Sequence, residues 1–299
     1  MNEGPNNRLA GIVYAMITVV FWATLGISFK TAVNYLNEFD VTFHLAWMAT
    51  VVLFIYLILR RKVGDILREF LRQPLFFITA GILGFGLQQI LYITAFSMQS
   101  AVETVILFYL YPLFMVVLAV LIYREPIPRV AIACLVVSFL GVAAVLTKGN
   151  LGHLNFGPGA LPVILAAFFW AAFSVWVKHR SFDVEVGMVL FSFFGMLFLA
   201  CLIPVYGLRW QASLPYVGLL LYLAVFPTAA AFVLWNKALR LAPTRLCAQI
   251  ALMTPLVSTI LIAVVLKEKI GCWHIIGLVC IVGATWLNMR LAPARAGRG

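Results

Sequence analysis

The sequence predicts an all-α integral membrane protein, on three observations. Of its 299 residues, 64% are apolar and only 10% are charged, with a mean hydropathy of +1.06. A soluble domain carries about 45–50% apolar and about 25% charged residues. The apolar residues gather into ten runs near the ~20 residues that a helix needs to cross the hydrocarbon core. The runs are continuous rather than alternating, which argues against a membrane β-barrel. High hydrophobicity with low charge also excludes a disordered chain.

The first run, Leu9–Val33, is too long for a signal-peptide apolar region and has no small-residue cleavage site after it, so it should stay as a span. Val41–Leu59 ends at Arg60, Arg61 and Lys62, and the stretch to Gln73 reads as a short amphipathic inner loop. Leu75–Ser97 carries Gln88, Gln89 and Tyr92. Ala101–Tyr123 opens near Glu103 and holds Pro112 midway. Val130–Thr147 and Ala160–Val177 follow, the latter with Trp170 and Ser174. Val184–Tyr206 and Leu214–Trp235 come next, with Asn236 just beyond. Leu246–Leu266 holds Gln249 and Pro255, and Ile270–Met289 is the tenth run. Short loops and tails remain, with no room for a soluble catalytic or ligand-sensing domain.

Charge orients the spans. With the N-terminus inside, 16 of the 21 Lys and Arg fall in inner segments, leaving Lys30, Lys148, Arg209, Lys267 and Lys269 outside. That bias predicts two cytoplasmic termini and accounts for the net charge of +11 without a nucleic-acid partner. The five cysteines, Cys134, Cys201, Cys247, Cys272 and Cys280, show no Cys-x-x-Cys spacing, so neither a zinc site nor a disulfide framework is indicated.

The chain also repeats itself. Phe21-Trp22-Ala23 with Lys30 returns as Phe169-Trp170-Ala171 with Lys178, an offset of 148. Pro112 followed by Glu125-Pro126-Ile127 returns as Pro255 followed by Glu268-Lys269-Ile270, an offset of 143. Leu91 and Ala95 match Leu234 and Ala238 at that second offset. A five-span unit is odd, so its copy enters the membrane from the other side. The expectation is two inverted five-helix repeats, residues 1–148 and 149–299. Such repeats are typical of secondary transporters with a substrate site near the midplane; the other reading is a duplication kept for packing.

These residues resemble the drug/metabolite transporter superfamily, and within it the ten-span bacterial exporters built from two EamA repeats. The likeness covers nearly the whole chain and rests on the aromatic-Trp pairs and on Pro112 and Pro255 with Glu thirteen residues later. Glu103, Tyr109-Leu110-Tyr111-Pro112 and Trp235-Asn236 make it similar to the aromatic-amino-acid exporters of that group. Tyr111 departs from them, since they typically show Trp there. The resemblance implies export of amino acids, aromatic ones preferred, or of related metabolites across the bacterial inner membrane. A central cavity would be built from spans 1, 3, 4, 6, 8 and 9. The implied partners are a small-molecule substrate and the lipid bilayer. A proton-driven multidrug or metabolite exporter of the same superfamily is the alternative.

Single residues leave two readings each. Trp22 and Trp170 lie mid-span although Trp favours the interface, so they either pack helices or wall a cavity that satisfies their N–H groups. Pro112 and Pro255 free the carbonyls of Phe108 and Ala251 and make either a packing kink or a hinge. Gln88, Tyr92, Ser174, Asn236 and Gln249 either bridge helices or hold the polar end of a substrate stacked on Trp22, Tyr111 and Trp170. Glu103 is the candidate gating or amine contact, whereas His44 reads as structural. Glu125, beside Arg124, and Glu268, beside Lys267, read as interfacial helix-end charges, and Lys30 and Lys178 as snorkelling side chains.

Absences complete the reading. No acidic residue lies mid-span, where a proton relay would put one, so facilitated diffusion is expected. Zinc, nucleophile-elbow and phosphate-loop motifs are missing, as is a selectivity-filter loop. An enzyme, a channel, a cofactor and a metal site are therefore not expected.

Overall fold

The computed structural model describes residues 5–150, 152, 154, 157–266 and 272–290. Every regular element among them is helical. We label the apolar helices α1 to α10. α1 is Pro5–Ala23 continued by Leu25–Ala32, α2 is Glu38–Leu59, and α3 is Pro74–Met98. α4 comprises Ala101–Phe108 and Tyr111–Tyr123, α5 is Arg129–Thr147, and α6 is Ala160–Lys178. α7 is Val184–Ala200, α8 is Leu214–Leu241, α9 comprises Thr244–Ala251 and Thr254–Leu266, and α10 is Cys272–Arg290. Nine of these are long and apolar enough to cross a membrane, and α7 is a shorter apolar helix. Glu268, with Lys267 and Lys269, lies outside the described residues.

Where element bounds differ from the sequence reading, the cause is local. The run expected to reach Tyr206 stops at Ala200, four residues before Pro204. The Pro204 ring clashes with that carbonyl and offers no N–H to it. α8 extends past Trp235 to Leu241 because Lys237 and Arg240 find partners there: Lys237 Nζ reaches Glu185 at 3.0 Å, and Arg240 donates to the Phe182 carbonyl at 2.7 Å. α4 and α9 are interrupted after Phe108 and Ala251, the residues whose carbonyls Pro112 and Pro255 leave without a donor. The expected amphipathic stretch is the helix Asp65–Arg72.

One feature is not visible in the apolar pattern. α3 widens into π-helix over Ile82–Leu87, and α8 does so over Ala224–Ala230. Gly84, Gly86 and Pro227 occupy these wide turns. The bounds recur at one spacing: Gln88–Met98 and Ala231–Leu241, both pieces of α4 and α9, and α5 and α10 are each 143 residues apart.

Packing crosses between the two halves of the chain. α1 lies on α8 and α9, α6 lies on α3 and α4, α2 faces α7, and α5 faces α10. Small residues allow the close approach of α3 and α7. A Cβ on Gly195 would lie 2.4 Å from the Phe85 Cβ, and one on Gly81 would lie 2.8 Å from the Phe191 carbonyl oxygen. Without a hydrophobic drive between helices in lipid, such packing carries their association.

Candidate functional site

Four helices deliver the central rings. Trp22 of α1 and Trp170 of α6 meet edge to face with centroids 6.0 Å apart, so the two Phe-Trp-Ala copies converge. Trp235 and Phe232 of α8 lie 5.2 and 6.0 Å from Trp22. Phe85, in the π-segment of α3, reaches Phe232 at 4.9 Å and Trp170 at 6.3 Å. Contacts of this geometry add about 0.5–1.5 kcal/mol each beyond the area they bury.

Polar groups edge this cluster. The Trp235 indole N–H donates to Ser174 Oγ at 3.2 Å, with both side chains fully buried. Asn236 donates to the Phe232 carbonyl at 2.9 Å and to the Met188 sulfur at 3.1 Å. At this cluster, two buried polar atoms lack a hydrogen-bond partner among the described residues: the Trp22 indole nitrogen, a donor, and Asn236 Oδ1, an acceptor. Leaving such a group unpaired costs on the order of 1–3 kcal/mol. Together they leave one donor and one acceptor unused at the edge of the rings.

The other candidate residues fall into separate groups. Tyr92 and Tyr111 are joined through Phe108, at 4.6 and 5.4 Å. Gln88 is buried on α3 one turn from Phe85 and one from Tyr92. Gln249 is not brought to the rings. Its amide donates to Ser138 of α5 and Thr285 of α10 and accepts from Asn288 at 3.4 Å. Glu103 closes a capping box at the start of α4, where its carboxylate accepts from the Ser100 hydroxyl at 2.8 Å. Pro112 and Pro255 each stand second in the helix that restarts after its break.

Beside the rings, a cavity of about 30 Å³ opens between α2, α3, α7 and α8. Phe85 and Gln89 of α3, and Thr228 and Phe232 of α8, line it together with Thr42 and Ser192. The α3 and α8 pairs match at the same 143-residue spacing. A cavity of about 10–15 Å³ already holds one water, so this one has room for ordered water.

Two ionic groups tie the Lys- and Arg-rich end of the bundle, and the sequence reading missed both. Lys62 Nζ bonds Asp183 Oδ2 at 2.7 Å and Glu185 Oε2 at 2.8 Å. Glu185 also takes Lys237 at 3.0 Å and the Tyr56 hydroxyl at 2.8 Å. Burial works against the Asp183 charge, but the Lys62 hydrogen bond and the Val186 and Glu185 amides outweigh it, so its carboxyl lies below the ordinary carboxylate range. In turn, hydrogen bonds to Asp183 and Glu185 hold Lys62 above the ordinary lysine value.

In the second group, Glu125 accepts from Thr244 at 2.8 Å and pairs with Lys178 at 2.9 Å. Glu125 follows the end of α4, where Arg124 takes a left-handed φ of 52°, and its carboxylate meets the end of α6. Lys178, expected to snorkel, is held between Glu125 and Thr244. The signal for the first group is an acidic pair, Asp183 and Glu185, opening an apolar run in a chain with only ten acids.

Apolar helices packed around a buried aromatic and amide centre define a multi-pass membrane protein. The profile of the EamA-like transporter family matches residues 9–147 and again 157–290. The chain belongs to that family, within the drug/metabolite transporter superfamily, and is a membrane transporter. It is 23% identical over 293 residues to an "Uncharacterized transporter" of Clostridium kluyveri, covering 93% of this chain and 92% of that one. It is 28% identical over 191 residues to an "Uncharacterized transporter in sor 3'region" of Acidianus ambivalens, covering 64% of this chain and 72% of the other. A solved crystal structure of another protein superimposes with a TM-score of 0.84 at 20% identity, over 96% of this chain and 100% of that one, so the two share a fold.

Proposed function

We propose that this transporter exports amino acids, aromatic ones preferred, or chemically similar metabolites across the bacterial inner membrane. The observation that carries the reading is the Trp22, Trp170 and Trp235 cluster with an unpaired indole donor and an unpaired Asn236 oxygen at its edge. The rings suit an aromatic or apolar side chain. The indole N–H suits a carboxylate, and the Asn236 oxygen suits an ammonium group.

In this proposal, residues 1–148 and 149–299 are inverted repeats with both termini cytoplasmic. The double family match, the recurring element bounds and the exchange of packing partners support it. Alternating access opens the site by parting helices at the breaks beside Pro112 and Pro255, with Glu103 at the rim of α4. Tyr92, Tyr111 and Gln88 line the approach, while Gln249 anchors α9 to α5 and α10. Transport is uncoupled: among the described residues no acidic side chain reaches the ring cluster, and a metabolite concentrated inside leaves down its own gradient.

Counterflow of radiolabelled amino acids in proteoliposomes tests the reading. Exchange of Phe, Tyr or Trp is expected, with Trp170→Ala lowering it at least tenfold while folded protein stays in the membrane. Unchanged kinetics in Trp170→Ala for every substrate would make the rings packing alone. Uphill uptake driven by a pH gradient and abolished by Glu103→Gln would replace facilitated diffusion with proton exchange.

A further inference from the structure

The opposite end of the bundle holds a buried acid and a buried base that the transport reading does not use. Asp40 and His44 lie one turn apart on one face of α2, with relative exposures of 0% and 2%. Asp40 Oδ1 accepts the Arg209 backbone N–H at 3.1 Å, and Oδ2 has no partner among the described residues. His44 Nδ1 lies 3.0 Å from the Tyr216 hydroxyl of α8. The His44 ring stands edge-on to Trp210 at 4.7 Å, and Trp210 is half-exposed in the α7–α8 connection. The imidazole thus touches an indole that reaches water.

A buried carboxylate with one bare oxygen is costly to hold as an isolated anion. A cation one turn away removes much of that cost, and imidazole is the one side chain present that gains or loses such a charge near neutral pH. The remaining titratable or charged neighbours on the packed elements do not supply it. They are Tyr35 after α1, Glu38 on α2, Tyr206 and Arg209 after α7, and Tyr216 on α8; the Arg209 side chain is exposed.

We propose that His44 binds one proton from the adjacent aqueous face, with the Asp40 carboxylate as its counter-charge, making a pH-sensitive contact between α2 and α8. Without the proton, His44 Nδ1 accepts the Tyr216 O–H. With it, Nδ1–H donates to the Tyr216 oxygen, the imidazolium faces the Asp40 carboxylate, and the Tyr216 hydroxyl keeps its proton but turns its O–H away from His44. Proton uptake thus reverses the hydrogen bond that ties the two helices.

The test needs no substrate, so it stands apart from the transport reading. An imidazolium quenches a neighbouring indole. The fluorescence of wild type minus that of Trp210→Phe, in lipid nanodiscs between about pH 4 and pH 9, isolates Trp210. The expected result is a one-proton loss of Trp210 emission on acidification, absent in His44→Gln. Asp40→Asn and Tyr216→Phe each shift the midpoint, Asp40→Asn to lower pH by about one pH unit. Emission from Trp210 that is independent of pH overturns the proposal, as does a midpoint unchanged in Tyr216→Phe and in whichever Asp40 variant folds, Asp40→Asn or Asp40→Glu.

Discussion

Glu185 shows how one side chain can hold several helices. Its carboxylate faces Lys62, Lys237, Arg60 and Tyr56 while only 6% exposed, whereas Lys62 and Lys237 are 28% and 33% exposed. Removing a buried partner strands the opposite charge, at about 3–5 kcal/mol in a dry interior. These lysines can relax into water, so Glu185→Gln is expected to cost about 1–2 kcal/mol, read as a lowered melting temperature in detergent. The neighbouring Lys62–Asp183 pair adds a pH signature. The depressed Asp183 acid contributes stability above its unfolded value and loses it as pH falls through the folded value. The raised Lys62 contributes below its unfolded value and loses it as pH rises through the folded value. Their joint contribution is complete from about pH 5 to pH 10 and fades below about pH 4. A melting temperature that falls on acidification to the same extent in wild type and in Asp183→Asn would contradict this account. Arg60, Lys62 and Lys237 are plain in the sequence as basic loop residues. Their carboxylate partner lies over a hundred positions from Lys62, and no local pattern reports such a distance.

Among the elements, the apolar runs locate all ten helices, because burial in lipid leaves backbone groups no other partner than their own helix. The breaks in α4 and α9 are legible too, since a mid-run proline names the carbonyl it frees. The π-segment of α3 is not legible, since Gly84 and Gly86 are compatible with ordinary helix, whereas Pro227 marks the one in α8. The packing of α3 on α7 makes a direct prediction. A valine at Gly195 would drive its Cβ into Phe85 at 2.4 Å, so Gly195→Val should part α3 from α7 and abolish the monodisperse peak in size-exclusion chromatography. Gly218, with nothing within 4 Å of its Cβ position, is the control, and Gly218→Ala should leave that peak unchanged. Equal behaviour of the two variants would mean that the glycine contact does not hold α7.

For the whole molecule, orientation rests on the distribution of Lys and Arg. Cysteine labelling in intact cells should find Asn150→Cys reactive from outside and Arg68→Cys protected until the membrane is opened. Labelling of Asn150→Cys only from the cytoplasm would remove the inverted arrangement and the site geometry proposed with it. The aromatic centre was legible in part. Trp22 and Trp170 could be matched from their sequence repeat, but Trp235, Phe232 and Phe85 join them only because α8 and α3 fold back between the two halves. Gln249 carries the same kind of polar signal, yet α9 turns it toward α5 and α10.

The crossed packing of α1 on α8 and α9, and of α6 on α3 and α4, has a bearing on synthesis. The ribosome releases α1 to α5 first, and none of them has its main long-range neighbour until the second half is inserted. α1 waits in lipid with Trp22 and Thr18 uncovered, although Thr18 finally meets the Ala231 carbonyl at 3.3 Å. Assembly is therefore late, and its contacts join residues far apart in the chain, a topology that slows folding. Residues 1–150 and 151–299 expressed together as separate chains should find each other and co-purify. Each expressed alone should be cleared by membrane proteases, because half of this molecule is an interface without its other side.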